Sequence, residues 1–393
     1  MKRWNRPFCF VRGITYLAVD WFNLRNQKWV IIMSGYIPMI TNVSIKNFKG
    51  IKDCKINDMA KINLFSGRNG CGKSSIMEAI YFTGKEFVRQ NLRQSILRRA
   101  NRPSVSVREL FYEYNLNANI YIELKFDKLN ITGMRIQFSP QNSRTNVSLR
   151  SGNWESQREE VVSNYSISRF DYGGGVSQPR ISVSNPEELR RYFVNSIFID
   201  PTIKKDVSLI EGSYLSKVKL SEESSSDLVN RMAEIYQPQP SWEFLPHPDF
   251  PPTDPSRFAI LERKKRLFID NFGDGLHYGL AIMASAKTVG KTALFIEEIE
   301  SHQHPKAIKD LIPNLIEISR DNNLQLFVTT HNPYVLRHFH YYYHSPQERK
   351  KEFRCFHIIR DKDSGEVEAK IIENITDVSE DLFGLPFESK KST

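Results

Sequence analysis

Residues Gly67-Arg68-Asn69-Gly70-Cys71-Gly72-Lys73-Ser74 form an unbroken G-x-x-x-x-G-K-S phosphate-binding pattern, and the flanks of this pattern constrain the fold as strongly as the pattern itself. The apolar run Ile62-Asn63-Leu64-Phe65 ahead of it reads as a strand, and Ser75 to Ile80 behind it reads as a helix. Strand, loop and helix in that order predict an α/β chain of the P-loop type. The loop from Gly67 through Arg68, Asn69, Gly70, Cys71, Gly72, Lys73 and Ser74 to Ser75 is the expected phosphate cradle. Its glycines let backbone N–H groups close around phosphate oxygens, and the following helix aims its positive end at the same charge. Lys73 is expected on the β- and γ-phosphates, and the Ser74 hydroxyl on Mg²⁺. The simplest reading of Cys71 is a small side chain filling the turn. The motif predicts a nucleoside triphosphate site.

Composition narrows the setting. With 393 residues, the chain has room for one large domain with insertions or for two smaller ones. A formal charge of +10 suits an anionic partner, nucleotide or nucleic acid, but spread over this length it is equally a solvated surface. Cys9, Cys54, Cys71 and Cys355 show no metal spacing, which predicts a reducing, cytoplasmic compartment. The longest nearly apolar stretch, Gly275 to Ala286, contains His277 and is far shorter than a bilayer crossing, so no membrane span is expected. Lys2, Arg3 and Arg6 precede Phe8 to Val11, but Arg12 interrupts the run and no secretory signal is read. Residues 1–38 precede any patterned structure and read as an extension, with Met33 or Met39 the natural start.

Thr41 to Phe48 alternates Val43 and Ile45 on one face, turns at Lys49-Gly50, and continues as a second short strand, Ile51 to Ile56. An arginine-rich segment, residues 89–102, reads either as a solvated lid helix or as a nucleic-acid contact. From Asn119 the alternation of Ile120, Ile122, Leu124 and Phe126 with Tyr121, Glu123 and Lys125 opens an antiparallel layer. It is expected to continue through Ile131–Phe138, Val162–Phe170 and Ile181–Ser184. Asn195 to Asp200 reads as a strand ended by Pro201, and Leu228 to Ile235 as a short amphipathic helix after a serine run. The seven prolines of residues 238–255 predict an extended surface insert. The last third alternates again, with a helix at Leu276–Ala286, a buried strand at Thr292–Ile296, a helix through Ala307–Ile316 and a buried strand at Leu324–Val328. A hairpin of Phe353–Ile359 and Val367–Ile372 follows. The expected organisation is one nucleotide-binding domain over 39–345 with an insert at about 85–265, completed by a hairpin and tail at 346–393. Its core is expected to be a mixed, largely parallel sheet flanked by helices, with an antiparallel β layer and a helical insert.

A phosphate loop needs a second strand that brings acids to the metal and to water. Leu294-Phe295-Ile296-Glu297-Glu298 has that form: Glu297 is the expected Mg²⁺ residue and Glu298 the one that polarises attacking water. The next buried strand ends Thr329-Thr330-His331, which places His331 near the γ-phosphate, although a core histidine satisfied by backbone fits the same pattern. His338, His340 and His344 have no spacing that favours a metal cluster.

Together these segments resemble a known group. The loop at Gly67–Ser74, then Phe272-Gly273-Asp274-Gly275, then Glu297-Glu298-Ile299-Glu300-Ser301-His302-Gln303-His304-Pro305, then Thr329-Thr330-His331 stand in the order found in ABC-type ATPases. Within these the chain is similar to the AAA branch related to SMC, RecF and OLD proteins, whose N-terminal strand motif Ile45-Lys46-Asn47-Phe48-Lys49-Gly50 also resembles. The resemblance implies Mg-dependent ATP hydrolysis in a head-to-tail homodimer, or a higher even-numbered assembly, with ATP sandwiched in the interface. It further implies that Gly273, Asp274 and Gly275 form the signature segment that meets the partner copy's ATP. Two departures stand out: Gly273 replaces the usual signature serine, and Glu297 replaces the usual aspartate. No Q-loop glutamine can be placed, Gln141 being only a weak candidate. No heptad arms are read, and no nuclease domain is expected in the roughly sixty residues after His331. The resemblance therefore implies an ATPase that gates a separate effector protein in prokaryotic defence or genome maintenance. A slow ATP-loaded scaffold and a RecF-like DNA clamp are the rival expectations.

Overall fold

Strands that must be buried on both faces carry apolar side chains at nearly every position, and here such strands lie side by side in the parallel part of one sheet. The computed structural model describes residues 38–87, 104–105, 107–127, 131–139, 144–153, 158–167, 170–171, 192–193, 195–201, 222–236, 244–246, 258–262, 265–268, 273–290, 292–343 and 346–373. In chain order the first strands and helix are β1 (Ile40–Phe48), β2 (Ile51–Ile56), β3 (Ile62–Ser66) and α1 (Lys73–Phe87). Next come β4 (Ser104–Val105), β5 (Ile120–Phe126), β6 (Ile131–Ser139), β7 (Arg144–Asn153), β8 (Arg158–Ile167), β9 (Phe170–Asp171) and β10 (Ile197–Ile199). The helix α2 (Glu222–Tyr236) leads to β11 (Phe244–Pro246), β12 (Phe258–Glu262), β13 (Lys265–Phe268), α3 (Asp274–Thr288) and β14 (Ala293–Ile296). The last elements are α4 (Pro305–Asp321), β15 (Gln325–Thr329), α5 (Pro333–Tyr342), α6 (Pro346–Glu352), β16 (Phe353–Arg360) and β17 (Val367–Ile371).

Twelve strands join in the order β10-β14-β15-β3-β16-β17-β2-β1-β5-β6-β7-β8. From β10 to β16 the neighbours run parallel, and every residue of β3, β14 and β15 is buried. β16 and β17 are an antiparallel hairpin, β17 lies parallel to β2, and all pairs from β2 to β8 are antiparallel. The expected antiparallel layer is thus a continuation of the core sheet. It shows the one-sided burial that alternation predicts, with Ile120, Ile122, Leu124 and Phe126 buried.

Register decides which helix packs where. Phe198, Phe295 and Phe327 are paired across β10, β14 and β15 and stack face to face, with centroids 5.7 and 4.9 Å apart. Tyr81 of α1 sets its ring edge-on against the first two. The alternate residues Ile199, Ile296, Val328 and Leu64 face the opposite way, into a core shared with α2, α3, α4 and α5. At the amino end of β15, the buried Gln325 amide meets all its partners. Its Oε1 accepts from Ile40 N–H and the Tyr192 hydroxyl, and its Nε2 donates to the carbonyls of Ile40 and Ala60. This fixes β1 and the approach to β3 against β15.

The structure departs from expectation at three elements. α2 begins at Glu222, so the serine run belongs to the helix, and packing against α3 and α4 overrides its weak propensity. β7 was not expected, because Arg144–Asn153 is polar and carries its strand through long pairing with β6 and β8. Within the proline-rich stretch, Phe244–Pro246 pairs with Phe258–Glu262 in a separate three-stranded sheet, where Pro246 sits on an edge strand. The readings on residues 1–37, 89–102, 181–184, Gln141, His344 and the tail after 373 lie outside the described residues. Among the described residues no helix is long and apolar enough to cross a membrane.

Candidate functional site

Parallel pairing brings the carboxyl ends of four strands level. Ile199, Ile296, Val328 and Leu64 are register partners, so Asp200, Glu297, Thr329 and Phe65 follow side by side along one edge. Crevices outside such strand ends are where open α/β sheets bind ligands. The amide of Glu297 donates to Ile199 O at 2.8 Å, which continues the ladder one step past β14.

The phosphate loop follows β3 directly, and its three glycines hold backbone conformations that other residues avoid, with φ of 140° at Gly67, 79° at Gly70 and 109° at Gly72. Gly67 is also enclosed: a Cβ there would lie 2.5 Å from the Ile358 carbonyl oxygen of β16. A Cβ at Gly70 would meet nothing within 4 Å, so this side of the loop is open for a ligand. Lys73, 7% exposed, folds back so that Nζ donates to Gly67 O at 2.7 Å and Arg68 O at 3.0 Å. Burial pushes the Cys71 thiol up, with the Lys73 charge opposing, so it stays a protonated filler beneath the loop. Arg68 and Asn69 are exposed.

The two distant halves meet at Ser74. Its hydroxyl donates to Glu297 Oε1, across 223 positions of sequence. Glu297 is 4% exposed and its backbone carbonyl accepts from the Tyr278 hydroxyl of α3. Glu298 adopts a left-handed conformation, φ 47°, that a non-glycine residue holds only when its surroundings require it. Those surroundings are visible: its amide donates to Thr329 Oγ1 at 2.9 Å, and Ser301 Oγ donates to its Oε2 at 3.3 Å. A cavity of about 450 Å³ is lined by Gly50, Asn69, Gly70, Gly72, Lys73, Ser74, Ser75, Asp200, Pro201, Glu297 and Glu298. Lys73 and both glutamates therefore face one space.

Other expected site residues do not line this cavity. Gly67 and Cys71 are buried under the loop. Beyond β15, the His331 amide donates to Glu300 Oε1 at 2.9 Å, and its Nδ1 lies 3.2 Å from the same oxygen. Gly273 is the N-cap of α3 and supplies no side-chain cap, Asp274 occupies the first turn, and Gly275 packs on the loop after β14. Asp200, 4% exposed, is the cavity carboxylate the sequence reading missed, and Gly50 and Pro201 line the cavity beside it. Its signal is the same as that of Glu297: a short apolar strand, Ile197–Ile199, ending in a carboxylate.

The donor set fits a nucleotide with a hard cation. A hydroxyl and a carboxylate already in contact, beside a glycine-lined cradle and a lysine, are oxygen ligands of the kind Mg²⁺ takes together with phosphates. Among the described residues no group of three His, Cys, Asp or Glu could hold a metal ion.

Comparisons with known proteins agree with this geometry. The family model AAA_21, described as "AAA domain, putative AbiEii toxin, Type IV TA system", matches residues 62–337, well over half the chain. An "ATP/GTP phosphatase" of Helicobacter pylori is 24% identical over 336 residues, spanning 75% of this chain and 85% of that protein. The Septu protein PtuA of Bacillus mycoides is 23% identical over 342 residues, 81% of this chain but 42% of PtuA. Among solved structures, an SMC head bound to the C-terminal winged-helix domain of ScpA superposes with a TM-score of 0.51 at 14% identity, covering 85% of this chain and 98% of that one. The chain belongs to the AAA_21 family of AAA domains and shares its fold with SMC heads.

Proposed function

We propose that this protein binds ATP with Mg²⁺ between two copies of the chain, hydrolyses it, and through that cycle gates a separate effector protein in the cytoplasm. The observation that carries the reading is the contact of Ser74 with Glu297 in a cavity that Lys73 and Glu298 share. The cradle N–H groups and the amino end of α1 would receive the phosphates, and Lys73 Nζ would exchange its two carbonyl partners for phosphate oxygens. Ser74 and Glu297 would hold Mg²⁺, which would supply charge neutralisation to the phosphates. Glu298 would accept a proton from the attacking water as its oxygen bonds the γ-phosphorus. The bond to the bridging oxygen breaks, and ADP leaves with that electron pair.

ATP drives pairing only if it binds the paired state better than the separated one, and hydrolysis removes that difference. In the pair, the backbone N–H groups of Gly273, Asp274 and Gly275 at the amino end of α3 would meet the second copy's ATP. The toxin–antitoxin wording of the family and the likeness to a Septu protein support a prokaryotic defence setting with a second component. Phosphate release from wild type and from Glu298→Gln tests the chemistry, with an expected loss of about 10²- to 10⁴-fold while ATP binding persists. Equal rates would replace the enzyme with the second reading, a scaffold that holds ATP and barely turns over. That reading is favoured by Gly273, whose missing side chain leaves the signature contact to backbone alone. Salt-dependent gel shifts with duplex DNA, with and without ATP, decide whether a DNA clamp is the better description.

A further inference from the structure

Glu300, two residues beyond Glu298, is an acidic residue that the reaction above does not use. It is 9% exposed, and its Oε2 is buried without a hydrogen-bond partner among the described residues. Burying a carboxylate is costly unless charge-assisted hydrogen bonds offset it. Among the described residues, both polar contacts of its carboxylate are to one residue: Oε1 accepts the backbone N–H of His331 at 2.9 Å and lies 3.2 Å from its Nδ1. The residues on either side of His331 are anchored independently of Glu300. Thr330 N–H donates to Phe65 O at 3.0 Å, and Asn332 N–H donates to Thr330 Oγ1 at 3.0 Å. What remains free is the imidazole, 46% exposed against 7% for the Glu300 side chain. The carboxylate charge favours a proton on Nδ1, the ring nitrogen that faces it.

We propose that Glu300 is a positioning residue for His331, holding the Nδ1 edge of its imidazole against the buried carboxylate. The assignment rests on the ATPase reading for its consequence, and on the two contacts above for its geometry. A plain backbone cap needs only an acceptor oxygen, which a glutamine supplies as well as a glutamate, whereas holding a proton on Nδ1 draws on the carboxylate charge that glutamine lacks. Glu300→Gln therefore separates the two roles.

Wild type, Glu300→Gln, Glu300→Asp, His331→Ala and the double variant are compared by ATP turnover, thermal melting and ¹⁵N spectra of histidine-labelled protein. The His331 resonance is assigned by its loss in His331→Ala. Glu300→Gln is expected to melt near wild type and to lower kcat about 10- to 100-fold with KM for ATP within about twofold. The His331 nitrogen shifts should move away from the Nδ1–H signature, and Glu300→Asp, which keeps the charge, should recover part of both. In the double variant the glutamine should cost nothing beyond the loss of His331. A Glu300→Gln protein with wild-type turnover and an unchanged His331 signature overturns the proposal. So does a further loss in the double variant equal to that of Glu300→Gln alone. If His331→Ala leaves turnover intact while the signature still moves in Glu300→Gln, the positioning stands and the catalytic reading of His331 falls.

Discussion

Replacing Gly275 by alanine tests how α3 is seated. In this helix the backbone is ordinary, so the substitution brings no conformational strain of its own, only a methyl group. That Cβ would stand 2.4 Å from the carbonyl oxygen of His302 and 3.4 Å from its carbonyl carbon. Ordinary contact requires roughly 3.4 Å, so helix and loop must part by about 1 Å, and the obstacle is backbone rather than a yielding side-chain tip. The parting acts on a specific network. Gly275 O accepts from Gln303 Nε2 at 2.7 Å, and the Tyr236 hydroxyl, 3.0 Å from Gly275 O and 2.7 Å from Gln303 Oε1, shares its single proton between them. Overpacking costs about 1–3 kcal/mol. The weakened hydrogen bonds add about 1–2 kcal/mol. Alanine's better helix propensity returns about 1 kcal/mol. A net loss of about 1–4 kcal/mol is expected, read as a lower urea midpoint with unchanged slope. Gly273→Ala is the control, because a Cβ there would meet nothing within 4 Å, and it should cost under about 1 kcal/mol. If Gly275→Ala unfolds at the wild-type midpoint, or if the two variants lose the same amount, the close seating of α3 on the loop after β14 is wrong.

Gly273→Ser should stabilise the protein by a few tenths of a kcal/mol, because a serine hydroxyl can cap the amino end of α3 where no side chain does so now; chemical denaturation measures the gain, and turnover that rises with protein concentration would show that the added hydroxyl also serves a paired copy. Burial, reinforced by the Lys370 and Lys73 charges, holds His357 below the ordinary histidine value of 6.5. The folded state then binds fewer protons than the unfolded one, so this stability is complete above about pH 6.5 and declines as pH falls toward the lower folded value. His357→Phe should flatten that decline between urea midpoints taken at pH 7.5 and 5.5, and an unchanged slope would exclude the residue as its source.

The parts legible in the sequence are those whose physics is local. β3, the loop and α1 announce themselves through glycine spacing and periodicity, and β14 through an apolar run ending in Glu297-Glu298. α4 shows a one-sided stripe led by His304 and Pro305, which form its cap and first turn. The paired order of β16 and β3 could not be read, since no local signal says which of several apolar strands will lie beside Leu64. Asp200 escaped notice because one carboxylate after a three-residue strand carries no motif. Tyr236, Gln303 and Gly275 join across 28 to 67 positions through ordinary residue types, and only the folded chain shows that a Cβ at Gly275 would strike the His302 carbonyl oxygen and one at Gly279 the Tyr236 hydroxyl. Glu300 belongs to the same class: the motif displays it, but its grip on His331 depends on β15 lying next to β14.

The hairpin of β16 and β17 has a consequence for how the molecule is made. Although Gly67 to Ser74 emerge early in synthesis, Gly67 packs on Ile358 and Gly72 on Val367, and the sheet from β3 to β2 is bridged only by residues Phe353 to Ile371. A ribosome must therefore deliver almost the whole polypeptide before the phosphate cradle has its second wall, and contacts this far apart form slowly. A chain halted ahead of Phe353 carries the full motif in its sequence yet lacks the wall that shapes it.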